Sequence, residues 1–84
     1  MPGQGQMKVN VKLFAAMRDA TGADRVTVEA GTVGELAEKL GGRWPAAKPL
    51  IDRSRFAVNQ AFASHETVLR EEDEVAVIPP VSGG

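Results

Sequence analysis

Thr32-Val33-Gly34-Glu35-Leu36-Ala37-Glu38-Lys39-Leu40-Gly41 (TVGELAEKLG) is the stretch on which the fold turns. Thr32 followed by Glu35 is a capping box, in which hydroxyl and carboxylate each take up a backbone N–H that the first helical turn leaves open. Val33, Leu36, Ala37 and Leu40 then recur at i, i+3, i+4 and i+7, which places one apolar stripe along a helix. Gly41 reads as the C-terminal stop, and Lys39 in the last turn suits the negative end of the helix dipole. The spacing therefore predicts a helix over Val33 to Leu40 whose stripe must lie against a sheet.

Strands flank it on both sides. From Met7 to Phe14 the chain alternates, with Met7, Val9, Val11 and Leu13 apolar and Lys8, Asn10 and Lys12 polar, as in a half-buried strand. Ala15 to Thr21 has room for one or two helical turns ended by Gly22, and Arg25 to Glu29 alternates again through Val26 and Val28, so the two strands form a hairpin with a long connection. Gly42 to Ser54 contains Pro45 and Pro49 and reads as irregular apart from a short helical turn at Ala46 to Ile51, with Trp44, Leu50 and Ile51 over one end of the core. Arg55 to Asn59 (Phe56 and Val58 inward), a brief strand around Phe62 and Ala63, and Glu74 to Ile78 (Val75 and Val77 inward) complete an α+β set. A ferredoxin-like layout would need a second helix of comparable length before its last strand. Only one long helix is legible, which selects a β-grasp roll: a mixed sheet packed on one main helix. The organisation is a disordered N-terminal extension over residues 1–6, a domain over 7–78 and an extended flexible tail over 79–84.

With 84 residues the chain has room for one core. A chain this small buries only about 60 to 65% of its unfolded surface, so its work is expected at the surface. It has no cysteine, which excludes disulfides, thiolate chemistry and Cys-based metal sites. Ten Lys and Arg against eleven Asp and Glu, interspersed, make nucleic acid a poor candidate partner. No apolar run approaches the roughly 20 residues that cross a bilayer, and no basic start leads into an apolar core, so a cytoplasmic chain without membrane contact is expected. His65, the one histidine, stands beside Glu66 in a polar loop without a nucleophile placed for it. Asp52, Glu66 and the acidic run Glu71 to Glu74 lack the companions of a metal site. The chain alone is therefore read as no enzyme.

The last residues differ in kind. Pro79-Pro80-Val81-Ser82-Gly83-Gly84 follows the final strand directly, and prolines cannot continue a ladder. Pro79 and Pro80 favour a stiff extended segment, while Gly83 and Gly84 can pass a slot too narrow for side chains. Six such residues reach about 20 Å, enough to enter a partner's active site. The alternative is an inert tail of small residues. Strand parity adds a second feature: Phe14 shares the outward parity of Lys8, Asn10 and Lys12, and Ile78 falls outside Val75 and Val77, with Phe62 a candidate to join them. On parity alone Phe14 either lies on an exposed face or caps the core of a curled sheet.

The segment Val75 to Gly84 (VAVIPPVSGG) resembles the C-terminal signature of the molybdopterin synthase small-subunit family (MoaD), among the ubiquitin-like sulfur carriers. Leu13-Phe14-Ala15 with Arg18 and Gly22, and Ala57-Val58-Asn59-Gln60, are similar to the same family, so the resemblance spans Met7 to Gly84. The thiamine-pathway carrier shares the Gly-Gly end but usually lacks the Pro-Pro pair. The resemblance implies that a MoeB-like activating enzyme uses ATP to adenylate Gly84 and that a sulfur donor then converts it to a thiocarboxylate. It implies a MoaE-like large catalytic subunit into which the tail inserts, so that the pterin precursor gains the two sulfurs of the molybdopterin dithiolene. It assigns Phe14, Phe62 and Ile78 to the apolar face for both partners and Pro79, Pro80, Val81, Ser82 and Gly83 to the inserted tail, with no cofactor bound by the chain itself. Carriers for thiamine or tRNA thiolation, a protein modifier and a plain interaction domain are the alternatives.

Overall fold

The computed structural model describes residues 7–80. The expectations for residues 1–6 and 81–84, a disordered extension and the Gly-Gly end of the tail, lie outside them. The elements run β1 (Met7–Leu13), α1 (Ala15–Thr21), β2 (Arg25–Ala30), α2 (Val33–Arg43), a 3-10 turn (Pro45–Ala47), α3 (Lys48–Arg53), β3 (Arg55–Val58), β4 (Ala61–Ala63) and β5 (Glu74–Ile78). The strands form one sheet in the order β2-β1-β5-β3-β4. β1 and β5 are parallel, with Val11 opposite Val75 and Leu13 opposite Val77. The other pairs are antiparallel. This is the ubiquitin-like β-grasp roll.

Alternation fills the core as the period of a strand requires. Val9, Val11 and Leu13 from β1, Val75 and Val77 from β5 and Phe56 from β3 are buried in one cluster with Val33, Leu36 and Leu40 of α2. Ile51 is buried there too, with Trp44 and Leu50 packed against it. Thr32 Oγ1 accepts the Glu35 N–H at 3.2 Å, the first half of the capping box. The second half is displaced by one residue, since Glu35 Oε1 accepts from the Gly31 N–H at 2.7 Å. Lys39 donates to the Glu29 carbonyl and so ties α2 to β2.

Four expected boundaries need correction. β1 ends at Leu13 because Phe14 (φ −117, ψ 154) already caps α1. The Phe14 carbonyl accepts from Met17 N at 2.9 Å and Arg18 N at 3.3 Å. Gly41 is not a stop: α2 continues to Arg43, and Gly41 is buried inside it. A Cβ on Gly41 would meet Lys48 Cγ at 3.3 Å, so the glycine serves the close approach of α3. The helix ends instead at Trp44 (φ −128, ψ 77), which precedes Pro45 and is kept out of the α region by the proline ring. Residues 42–54, read as largely irregular, are mostly helical, because Pro45 and Pro49 each occupy the start of a helix, where the missing N–H has no partner to lose. Finally, β3 stops at Val58, since Asn59 (φ 50) and Gln60 (φ 73) form the left-handed pair of a two-residue hairpin turn.

Candidate protein-docking face

No polar or charged residue is buried among the described residues. The residues open to a partner or ligand are therefore the exposed ones. Register assembles the main group of them on the sheet face away from α2. Lys12 stands opposite Ala76, Ala76 opposite Ala57, and Ala57 opposite Phe62, a row across β1, β5, β3 and β4. Two alanines at the centre leave room above the sheet that larger side chains would fill. Two adjoining hollows result, both lined by Ala57, Gln60 and Ala76. One, of about 190 Å³, is bounded by Phe14. The other, of about 230 Å³, is bounded by Phe62 and Ile78.

Phe14 is 47% exposed and Phe62 67%, so Phe14 does not cap the core. The Arg55 guanidinium lies 5.5 Å from the Phe62 ring centroid and covers part of one face. Ile78, half-buried, pairs with Arg55 in the last rung of the ladder. Pro79 and Pro80 follow directly, beyond the strand. Val81, Ser82, Gly83 and Gly84 lie outside the described residues. Of the expected site, then, Phe14, Phe62 and Ile78 share one face, and Pro79 and Pro80 follow the end of β5.

The turn before β5 is held firmly. Asn59 Nδ2 donates to Asp73 Oδ1 at 3.0 Å, and Asn59 Oδ1 accepts from Glu74 N at 3.0 Å. Asp73 Oδ2 accepts from Arg70 N at 2.8 Å. The acidic run is thus a hydrogen-bonded turn, and no group of three metal-ligating side chains occurs among the described residues. His65 is exposed and sets its ring edge-on to Phe56, centroids 5.8 Å apart. No helix among the described residues is long and apolar enough to cross a membrane.

Sequence reading did not assign Ala57, Gln60 or Ala76 to the site; they form the floor and rim of the hollows. Their signal lies in cross-strand register, and two of the pairings join strands distant in sequence.

Fold and face together define a class: a small ubiquitin-like domain that presents an apolar sheet face beside the strand from which its tail departs. Residues 11–84 match the ThiS family, and the chain belongs to it. It is 44% identical over 82 residues, 93% of this chain and 99% of the relative, to the molybdopterin synthase sulfur carrier subunit of Mycobacterium tuberculosis. The subunit of that name from Chlamydomonas reinhardtii is 37% identical over 84 residues, with 93% and 100% covered. Among solved structures, small archaeal modifier protein 1 from Methanosarcina acetivorans superposes with a TM-score of 0.87 at 28% identity, over 98% of this chain and all of that one.

Proposed function

We propose that the chain is the sulfur-carrying small subunit of molybdopterin synthase, acting through a thiocarboxylate on Gly84. The observation that carries this reading is the continuity of face and tail: β5 contributes Ala76 and Ile78 to the apolar face and passes straight into Pro79 and Pro80. A partner seated on the face meets the tail where β5 leaves the sheet. The relatives of the same length and name support the pathway.

A carboxylate is a poor electrophile. An activating enzyme would transfer AMP from ATP to the Gly84 carboxylate with loss of pyrophosphate, and a sulfur donor would displace AMP to leave the thiocarboxylate. The large subunit would then take the tail into its active site, where each thiocarboxylate gives up one sulfur to the pterin precursor and returns as a carboxylate. The chain's own part is carriage and delivery, and alone it catalyses nothing. With no cysteine present, the sulfur has no internal thiol with which to exchange.

The test is reconstitution. Thiocarboxylated chain, large subunit and pterin precursor should yield the dithiolene product, with one chain consumed per sulfur. Failure of the charged carrier to sulfurate the precursor contradicts the assignment. The likeness to the archaeal modifier favours one second reading, in which the chain is a protein modifier joined to other proteins through Gly84. That reading requires covalent conjugates of the chain in cell extracts, which the carrier reading does not.

A further inference from the structure

A cleft of about 510 Å³ opens between α1 and the β1–β2 pair, beside the apolar face. Lys12, Arg18 and Arg25 line it, with Asp24 the one acid in that lining among the described residues. Two features set this cluster apart from ordinary surface charge. Lys12 and Arg25 stand directly opposite each other in the β1–β2 ladder, a like-charge pairing that works against the sheet. Arg18 and Arg25 also make no ion pair among the described residues, whereas Lys12 is 3.4 Å from Glu74. Positive charge is thus gathered, and partly left uncompensated, in a chain whose formal net charge is −1.

The cleft is not separate from the docking face. Lys12 and Phe14 line both it and the smaller hollow above Ala57 and Ala76, so one partner seated on Phe14 reaches both. We propose that this cleft is the electrostatic arm of the docking face and receives carboxylate side chains of the protein that covers Phe14. The proposal rests on the reading of that face as a protein-docking surface. Acids entering the cleft would pair with Arg18 and Arg25 and cancel the Lys12–Arg25 repulsion, so the charge arrangement that costs stability in the free chain favours the complex. Charges at the margin of an interface act mainly on the rate of encounter.

The experiment measures association of the full chain with the purified large synthase subunit of the same organism at about 50 and about 300 mM NaCl, between which the screening length falls from about 14 to about 6 Å. Wild-type association should slow markedly at the higher salt. The double variant Arg18→Glu, Arg25→Glu should associate about tenfold or more slowly at low salt, with its salt dependence flattened and its dissociation rate little changed. Arg25→Glu alone, which turns the opposed pair into an attractive one, should raise the melting temperature by about 1 to 5 °C while it slows association. A purely structural role for Arg25 cannot move stability and binding in opposite directions. Association of the double variant at the wild-type rate with the wild-type salt slope overturns the proposal. So does saturable binding of inorganic phosphate by the chain alone that the double variant loses while its protein association is unchanged, since the cleft would then be a phosphate site. Absence of any wild-type complex at either salt removes the docking reading itself, a result distinguishable from an unaltered variant.

Discussion

Phe14 leaves nearly half its surface in water at the one point where β1 gives way to α1. On the proposed function that ring anchors the partner, so Phe14→Asp should weaken association with the large subunit by about 2 kcal/mol or more, roughly thirtyfold, while the melt shifts far less. Titration and thermal melts separate the two effects, and a variant that merely unfolds would put Phe14 in the core. The next residue has an unusual backbone. Ala15 has φ 47, in the left-handed region where a side chain costs about 1 to 2 kcal/mol. Ala15→Gly should therefore raise stability by up to about 1 kcal/mol, read as a melting temperature higher by several degrees, since glycine accepts that conformation without strain. A lowered melting temperature would show that the Ala15 methyl has a packing role outweighing its backbone strain.

At the scale of elements, α2 offers a paired test. Gly42 is exposed and helical, with nothing within 4 Å of where a Cβ would stand, so Gly42→Ala should stabilise by about 0.5 to 1 kcal/mol. At Gly34 the same substitution brings a Cβ to 3.2 Å from the His65 carbonyl oxygen, a backbone atom already accepting from Gly34 N. Gly34→Ala should therefore destabilise, and denaturant melts of the two variants should move in opposite directions. These glycines also mark where sequence stops being legible. The Thr32 cap and the Val9-Val11-Leu13 alternation are local signals, and both elements begin where that reading places them. Gly41 was misread because its reason is tertiary, the passage of the Lys48 stem, and Pro45 and Pro49 because a proline starts a helix as readily as it ends one. Ala57 and Ala76 gain meaning only once β3 and β5 are known to be neighbours. The exposed apolar face is legible in the sequence at its aromatic rim, through strand parity, and not at its floor.

Taken whole, the described part is one β-grasp roll that presents an apolar face on the side of the sheet away from α2, with a basic cleft beside it. The sheet that builds the face also starts the tail, and the hydrogen bonds of Asn59 with Asp73 and with Glu74 N pin the turn from which β5 sets out. Under the proposed function the end of the chain, and not a side chain, is the site of chemistry. Appending one alanine after Gly84 moves the carboxylate about 3.3 to 3.6 Å outward and turns the Gly84 carbonyl into an amide that cannot be adenylated, while the folded face is untouched. The deciding measurement is the intact mass of both chains after incubation with the activating enzyme, ATP and sulfide. The native chain should gain the difference between sulfur and oxygen, and the extended chain should keep its mass while still binding the large subunit through Phe14. A native chain that stays unchanged, or an extended chain that is sulfurated without first being trimmed to Gly84, would contradict a carrier that works through its terminus.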